Sequence, residues 1–263
     1  MADRNHGGAA RTAQLQVRLA RGADDVAAAQ RLRYAVFVEE LGGDGPLVDH
    51  DARLERDRFD PVCDHMLVLD AARSTDPVVG VYRLLPGARV DSPEAFYTAG
   101  EYDLAPLWAS GRPLLELGRS CLHRDYRGGA AMYHLWSELA AYTLERGIEV
   151  LFGTASFHGT EVDRLAEPLS LLHHRHLAPA DLRVHARSAT ACRMDLMDEA
   201  EIDAAAAMRA MPSLIKAYLR LGGTVGAGAF VDHDFNTTDV CLILDVARMN
   251  ARQRAIYTRG IAA

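Results

Sequence analysis

The residues best suited to chemistry lie in a stretch of near-continuous apolar sequence, residues 114–122. Such a run predicts a buried strand, on which strict alternation places Glu116 on one side of the sheet and Arg119 on the other. A buried carboxylate of this kind can take a proton from a reacting group. It is equally explained as a structural acid paired with Arg83 or Arg119, and both interpretations stay open at this point.

A turn suited to anions follows the strand. Gly128 and Gly129 interrupt the apolar pattern and lead into a helical pattern over residues 130–146. The N-terminus of a helix presents backbone N–H groups and the positive end of the helix dipole, and both favour a phosphate. An acid on a strand next to an anion-binding turn is the layout of a group-transfer site.

Other charged residues occupy positions with more than one explanation. Arg33 lies between apolar neighbours in a predicted helix, which favours a partly buried role, whereas Arg31 is expected on the surface. Asp60 and Asp64 bracket the entry of a predicted strand. They can bind an ammonium group of a substrate or cap the preceding loop, and the sequence alone favours the cap.

Several reactive residues lack the partners that their chemistry needs. His65 and Asp70 match an H-x4-D spacing, but residues five apart on a strand face opposite sides, so the match is accidental. The basic run at 173–176 follows a helix end without accompanying carboxylates or thiols, and no metal site is expected. Ser156 and Cys121 have no recognisable nucleophile motif, which favours direct transfer between two bound substrates.

Hydrophobic periodicity predicts the elements that position these residues. Residues 44–61 carry many charges with little periodicity and predict a loop, and a long loop inside a domain is often functional. The order of elements is typical of a single mixed α/β domain. Strands are predicted over 15–19, 64–70, 78–85, 114–122, 149–155, 184–194 and 238–246, and helices over 24–38, 130–146 and 161–172. Residues 199–223 are also predicted to be helical, with Pro212 in the first turn of a second helix.

Composition narrows the class of protein. The chain has 263 residues, of which 49% are hydrophobic and 25% charged, as in globular domains. Its net charge of −7 argues against general nucleic-acid binding. The four scattered cysteines predict reduced thiols of a cytoplasmic protein. Residues 1–13 are predicted to form a disordered tail, and residues 14–263 are predicted to form one domain. No run approaches the ~20 apolar residues of a membrane span. Any membrane contact is therefore expected to be peripheral, at the inner face of the cytoplasmic membrane.

A set of motifs, taken together in order, is specific. The motifs are Arg33-Tyr-x-Val-Phe37, Phe59-Asp60, Asp64-His65, Val79-Gly-x-Tyr-Arg83, Phe96-Tyr97, Glu116-Leu-Gly-Arg119-Ser, and residues 151–160, 211–222 and 235–240. The first six resemble the acyl-carrier-protein-dependent N-acyltransferases of bacteria, which share a sparse version of the pattern with the autoinducer synthases. The C-terminal motifs narrow the resemblance to the ornithine-lipid-forming L-ornithine Nα-acyltransferases.

The resemblance implies a GNAT-like α/β (α+β) fold, a mixed central sheet flanked by helices. It also implies transfer of a 3-hydroxyacyl chain from acyl carrier protein to the α-amine of L-ornithine, which gives lyso-ornithine lipid. No permanent cofactor is implied, because the donor is the 4′-phosphopantetheine thioester of the carrier protein. The resemblance implies that Glu116 is the general base and that Arg83 and Arg119 are the other catalytic residues. The substrate would be bound by Arg33, Phe37, Asp60, Asp64 and Phe96. The phosphopantetheine would be bound by Arg124, Arg127, Gly128 and Gly129.

The chemistry adds further expectations about the site. Backbone N–H groups near residues 119–121 are expected to stabilise the oxyanion. The arginines are expected to pair with Asp60, Asp64 and Glu116 or to hold the ornithine carboxylate, and Asp60 or Asp64 would bind its side-chain amine. The acyl chain would be bound in an apolar slot lined by Phe96, Tyr97, Trp108 and Phe152. The alternative is that these aromatic residues belong only to the hydrophobic core. The acidic carrier protein would contact Arg124, Arg127 and residues 173–176.

Two departures from these families bear on the donor. Gly118 stands where the autoinducer synthases usually carry Ser or Thr, so no hydroxyl role transfers to that position. The turn at residues 127–132 is a degenerate form of the acetyltransferase pyrophosphate loop. A weaker anion loop fits a carrier-protein arm, which brings one phosphodiester, better than it fits coenzyme A.

Two alternatives to this function stay open on the sequence. One is a long-chain N-acyl amino acid synthase of the same fold with a different amino acid acceptor. The other is a non-catalytic GNAT-like module that binds carrier protein or a lipid. The presence of Glu116 together with Arg33, Arg83 and Arg119 favours an enzyme.

Overall fold

The strands and helices of the computed structural model are described for residues 13–187 and 190–259, and the predicted tail lies outside them except for Ala13. The strands are β1 (Leu15–Leu19), β2 (Asp64–Asp70), β3 (Val78–Pro86), β4 (Tyr102–Asp103), β5 (Leu114–Leu122), β6 (Val150–His158), β7 (His185–Ala186), β8 (Ala191–Cys192), β9 (Thr224–Val225), β10 (Ala229–Asp232) and β11 (Thr237–Asp245). The α-helices are α1 (Ala23–Arg33), α2 (Ala105–Ala109), α3 (Ala130–Glu145), α4 (Ala166–His176), α5 (Ala204–Ala210), α6 (Ser213–Arg220) and α7 (Ala251–Tyr257).

A mixed sheet runs through the structure in the order β1-β2-β3-β5-β6-β11-β10-β8, with β9 paired to β11. Its pairs are antiparallel except for β5 and β6, which run parallel. Every residue of β3 is buried, as expected for a central strand covered on both faces. The mixed α/β architecture predicted from the sequence is therefore observed.

Hydrophobic residues cover both faces of the sheet. On one face, Leu115 and Leu117 of β5 belong to a cluster with buried residues of α3, α4 and α6. On the other face, Leu114 packs with Phe96 of the segment between β3 and β5 and with Phe152 of β6, and Cys121 packs against α1. Among the described residues, no helix combines the length and the apolar character that crossing a membrane requires.

The central strands β5 and β6 separate after a short paired stretch. They pair only from Leu114 opposite Val150 to Glu116 opposite Phe152, although β5 continues to Leu122 and β6 to His158. Gly153 lies where they part, and a Cβ atom there would be 2.0 Å from the carbonyl oxygen of Leu117. A glycine at this position therefore permits the backbones to approach before they diverge.

Some predicted elements differ from the observed ones. The predicted strand over 184–194 is wrong, because β7 pairs with β4 whereas β8 pairs with β10. The strand β10 and the helix α7 were not predicted, since β10 is short and half-buried and α7 lies near the end of the chain. The predicted helix over 24–38 ends as an α-helix at Arg33 and continues as a π-helix, Tyr34–Glu40.

Candidate active site

A cavity of about 210 Å³ occupies the wedge between the diverging parts of β5 and β6. We call it the wedge cavity. The π-helix Tyr34–Glu40 contributes Phe37 to its wall, and Leu41 follows directly after; such wide turns are frequent at functional sites. Its remaining wall consists of Tyr97, Gly118, Arg119, Ser120, Thr154, Ala155, Ser156, Leu214, Asp232, Phe235, Thr237 and Asp239.

Two further cavities adjoin the wedge cavity. The outer cavity, of about 540 Å³, shares Tyr97, Arg119, Asp232 and Phe235 with it and is also lined by the loop over residues 45–48 and by residues 55–59. A small cavity of about 10 Å³ shares Thr154, Ala155 and Leu214 with the wedge cavity and is lined by Tyr82, Leu117, Phe152, Gly153, Tyr218 and Leu242. The wedge cavity thus lies between a larger, polar-edged space and a narrow apolar one.

A β-bulge in β5 places Arg119 on the same side of the sheet as Glu116. Arg83 of β3 lies opposite Gly118, but Val81 lies opposite Cys121, so β5 carries one extra residue. Arg119 itself has φ +52°, in the left-handed region. The prediction that Glu116 and Arg119 face opposite sides is therefore wrong, because strict alternation ends at the bulge.

Three arginines and three carboxylates form a closed ring of alternating ion pairs beneath the outer cavity. In order around the ring they are Arg33, Glu55, Arg119, Asp57, Arg83 and Asp60. The nitrogen–oxygen distances are 3.1 Å for Arg119–Glu55, 3.2 Å for Arg119–Asp57, 2.5 Å for Arg83–Asp57, 3.1 Å for Arg83–Asp60 and 2.6 Å for Arg33–Asp60, and the pair Arg33–Glu55 closes the ring. We call this set the charge ring.

The arginines of the charge ring hold Asp57 and Asp60 ionised. Burial alone would raise the pKa of Asp60, but Arg33 and Arg83 outweigh it and lower that pKa well below its ordinary value. The pKa of Asp57 is lowered in the same way by Arg83 and Arg119 against the effect of burial. Asp60 also accepts a hydrogen bond of 2.8 Å from Gln30. Its carboxylate is fully engaged, so the expectation that Asp60 binds a substrate amine has no support in this geometry.

The structure separates Asp64 and Phe96 from this site. Asp64 pairs with Arg89 at 2.9 Å and accepts the hydroxyl of Tyr142 at 2.7 Å, and it lines none of these cavities. Phe96 is buried against Phe152, with ring centroids 5.0 Å apart, and belongs to the core. Of the residues expected to line an acyl slot, Tyr97 reaches the wedge cavity and Phe152 the small apolar one, whereas Trp108 packs on Phe96.

Glu116 is buried but does not face the wedge cavity. Its two carboxylate oxygens accept the backbone N–H groups of Tyr97 at 3.1 Å and Thr98 at 2.7 Å. Burial raises the pKa of Glu116, and these hydrogen bonds oppose the rise only in part. This placement favours a structural role, in which Glu116 anchors the turn that carries Tyr97 over Arg119, 4.7 Å from the guanidinium to the ring centroid.

The residues expected to bind the phosphopantetheine lie together at the start of α3. Gly128 has φ +73°, and Gly129 directly precedes the first residue of the helix. Arg124 is exposed there. Arg127, however, makes a bidentate ion pair with Glu40, so part of its charge is already compensated. In the basic run at 173–176, Arg175 likewise pairs with Glu199 at 3.0 Å.

The buried thiols and His65 offer no nucleophile at this site. Burial raises the pKa of the Cys121 thiol to about 12 and keeps it protonated. Burial lowers the pKa of His65, whose Nε2 atom lies 3.0 Å from the carbonyl oxygen of Asp60. The side chain of Asp70 accepts the backbone N–H of Gln14 instead, so the two residues of the H-x4-D match have separate partners.

Sequence reasoning missed two groups of acids. Glu55 and Asp57 complete the charge ring, and the charge density of residues 44–61 was the signal that could have indicated them. Glu101, Asp232 and Asp239 bring carboxylate oxygens within 4.8 Å of one another beside the wedge and outer cavities. Asp232 and Asp239 lie on the paired strands β10 and β11, whereas Glu101 is far away in the chain, and no spacing links it to them. We call them the acidic cluster.

Comparisons with known proteins agree with this architecture. A family model described as an acetyltransferase (GNAT) domain matches residues 32–137. The chain is 58% identical to the L-ornithine N(alpha)-acyltransferase of Rhodobacter capsulatus, over 94% of this chain and 95% of that protein. It is 41% identical to the protein of the same name from Brucella abortus, over 94% and 90% of the two chains. The solved structure of FeeM, an N-acyl amino acid synthase from uncultured soil microbes, aligns with a TM-score of 0.53 at 13% identity, over 92% of this chain and 98% of that one.

Proposed function

This chain belongs to the L-ornithine Nα-acyltransferases, acyltransferases of the GNAT fold, and we propose that it transfers a 3-hydroxyacyl chain from acyl carrier protein to the α-amine of L-ornithine. The product of this transfer is lyso-ornithine lipid. The observation that carries the proposal is the wedge cavity, which shares Arg119 and Asp232 with the larger outer cavity and so joins a space between two strands to one edged by charged residues. A thioester in the wedge can therefore meet an amine that enters from the outer cavity.

The donor arm would lie along the open edges of β5 and β6. Beyond Glu116, β5 and β6 no longer pair, so backbone groups of both strands face the wedge. Such an edge can bind an extended arm through backbone hydrogen bonds. The bulge lies at residues 119–121, and N–H groups there would stabilise the oxyanion that forms at the thioester carbonyl.

The proton of the attacking amine goes to a carboxylate on the wedge wall. Asp239 lies on β11 directly opposite Ser156 of β6, and burial raises its pKa to about 6. A base with a pKa near the working pH transfers protons efficiently. Asp239 therefore meets the requirement better than Glu116, whose oxygens are both occupied by backbone N–H groups.

The bonds of the reaction follow from this placement. The neutral α-amine attacks the carbonyl carbon, the amide C–N bond forms, and the thioester C–S bond breaks, with the pantetheine thiolate as leaving group. Asp239 takes the amine proton. Arg119 lines both cavities, and the charge ring fixes its guanidinium, which would orient the acceptor carboxylate.

A single assay tests this proposal. Purified protein is incubated with 3-hydroxyacyl carrier protein, or with the same acyl group on coenzyme A, and with one amino acid at a time, and the products are identified by mass spectrometry. We expect acyl-ornithine from the carrier-protein donor. Product from another amino acid alone would assign the chain to the N-acyl amino acid synthases, and no product with any acceptor would favour a carrier-binding module.

A further inference from the structure

Two acids of the acidic cluster, Glu101 and Asp239, differ from the other buried acids at the site in their hydrogen bonding, whereas the half-buried Asp232 accepts the backbone N–H groups of Asp234 and Phe235 through Oδ1. Glu101 and Asp239 are 5% and 4% exposed. The Oε2 atom of Glu101 and the Oδ1 atom of Asp239 nevertheless have no hydrogen-bond partner among the described residues. In the charge ring, by contrast, each carboxylate pairs with two arginines. Buried carboxylate oxygens without partners are costly unless a ligand satisfies them.

The three acids face the space in which the acceptor is expected. Glu101 lines the outer cavity, Asp239 lines the wedge cavity, and Asp232 lines both. The cluster thus continues from the outer cavity to the point at which the acyl chain would be transferred. The backbone carbonyl of Glu101 accepts the N–H of Arg187 at 2.7 Å, which helps to hold the residue in place.

The chemistry of the cluster fits a primary ammonium group better than a divalent metal ion. An ammonium carries three N–H donors, which matches a small set of converging carboxylates. Calcium and magnesium require six or more oxygen ligands, and a doubly charged ion would be repelled more strongly by the neighbouring Arg119. Arg119 acts electrostatically on both Glu101 and Asp239.

We propose that Glu101 and Asp232 bind the side-chain ammonium of a diamino acid acceptor, while Asp239 at the inner end of the cluster receives its α-amine. This inference rests on the proposed function and adds to it the residues that distinguish ornithine from neutral amino acids. It also replaces the expected pairing of that amine with Asp60 or Asp64, since both are occupied by arginines.

The test compares L-ornithine with L-norvaline, which has the same carbon chain but no side-chain amine. Binding to the full-length protein is measured by isothermal titration calorimetry. We expect ornithine to bind about 10- to 100-fold more tightly than norvaline, the range that a charged hydrogen bond contributes. In Glu101→Gln most of this difference should disappear, because the ornithine affinity falls while the norvaline affinity changes much less.

Matched variants keep the result interpretable. Glu94→Gln removes an exposed carboxylate from the same segment and should retain the full preference for ornithine. Asp232→Asn should reduce the preference as Glu101→Gln does, and it covers the case in which Glu101→Gln fails to fold. Equal affinity of the wild type for both amino acids would overturn the inference, as would a preference that survives both cluster variants. Tight binding of Mg²⁺ or Ca²⁺ that Glu101→Gln abolishes, without ornithine binding, would also overturn it.

The outcome is separable from that of the acyl-transfer assay. A protein that binds ornithine selectively through the cluster but forms no acyl product supports the inference and contradicts the proposed function. A protein that acylates ornithine and norvaline with equal kcat/KM supports the acyltransferase activity and contradicts the ammonium site.

Discussion

At the scale of single residues, the structure distinguishes two buried carboxylates that the sequence cannot tell apart. Asp239 faces the wedge cavity and has its pKa raised by burial to about 6, whereas Glu116 binds two backbone N–H groups. Both are buried acids on central strands. What separates them is the three-dimensional position of the turn at Tyr97, which occupies the carboxylate of Glu116.

The different environments predict different effects of substitution. Asp239→Asn should lower kcat about 10²- to 10⁴-fold, the contribution of a general base, with little change in stability. Glu116→Gln should instead lower the free energy of unfolding by about 1–3 kcal/mol, because the amide replaces a charged acceptor of two N–H groups. Both are measured by steady-state kinetics across pH and by urea unfolding. A normal rate in Asp239→Asn together with a collapsed rate in a stable Glu116→Gln would return the role of base to Glu116.

Residue types alone indicated part of the site. Arg33, Arg83, Arg119 and Asp60 were singled out from the sequence, and the structure brings all four into the charge ring. Their partners Glu55 and Asp57 could not be distinguished in the sequence from the many other charged residues of the loop 44–61. Long-range contacts of this kind leave no local period, so the sequence predicts the arginines better than the acids that pair with them.

At the scale of elements, the charge ring connects α1, β3 and β5 to the loop over residues 55–60. Because each charge has two partners of opposite sign, removing one leaves two buried acids or two buried arginines incompletely paired. Such a loss costs far more than removing a surface ion pair.

Arg33→Met tests this cost. It leaves Glu55 and Asp60 without one guanidinium each and should lower the free energy of unfolding by about 3–5 kcal/mol. Urea unfolding followed by circular dichroism measures the change. Arg31→Met, which removes an exposed arginine from the same helix, should change it by less than about 1 kcal/mol. Equal effects of the two variants would mean that the charge ring adds no stability.

The parting of β5 and β6 depends on a glycine. Gly153→Ala places a Cβ atom 2.0 Å from the carbonyl oxygen of Leu117 and should force the strands apart. We expect a loss of more than about 2 kcal/mol in the free energy of unfolding, together with a raised KM for the donor. Gly100→Ala, where a Cβ atom meets nothing within 4 Å, is the matched control and should be near neutral.

The sequence predicted most long elements but not the features that shape the site. The strands β2, β3 and β5 were predicted within a residue of their bounds because their hydrophobic patterns are strong. The bulge at Arg119 and the end of pairing at Glu116 have no such pattern. Both depend on contacts with β3 and β6, which lie far away in the chain.

At the scale of the whole molecule, two sets of acids oppose each other in their response to pH. Asp57 and Asp60 of the charge ring have lowered pKa values, so the stability they contribute is present at neutral pH and is lost on acidification. Asp239 and Glu101 have raised pKa values, so their contribution is fully present below the unfolded pKa and is lost as pH rises, for Asp239 from 3.8 through about 6.

Ornithine binding should therefore become more favourable as pH rises. The ammonium stabilises the ionised form of Glu101 and Asp239, so binding releases protons that these acids hold in the empty protein. We expect the rise in Tm caused by ornithine to be larger at pH 7.5 than at pH 5.5. Norvaline, whose α-amine reaches Asp239 but which has no side-chain ammonium for Glu101, should show a smaller increase. A stabilisation that is independent of pH would show that these acids are already ionised before the amino acid binds.

The gap between β5 and β6 also determines how donor binding changes the rigidity of these strands. The facing edges of β5 and β6 are unpaired beyond Glu116, and an extended thioester arm could bind between them as an additional strand. The enzyme would then be most rigid when loaded, and amide hydrogens along residues 117–122 would exchange more slowly with solvent in the presence of acylated carrier protein than with the carrier alone.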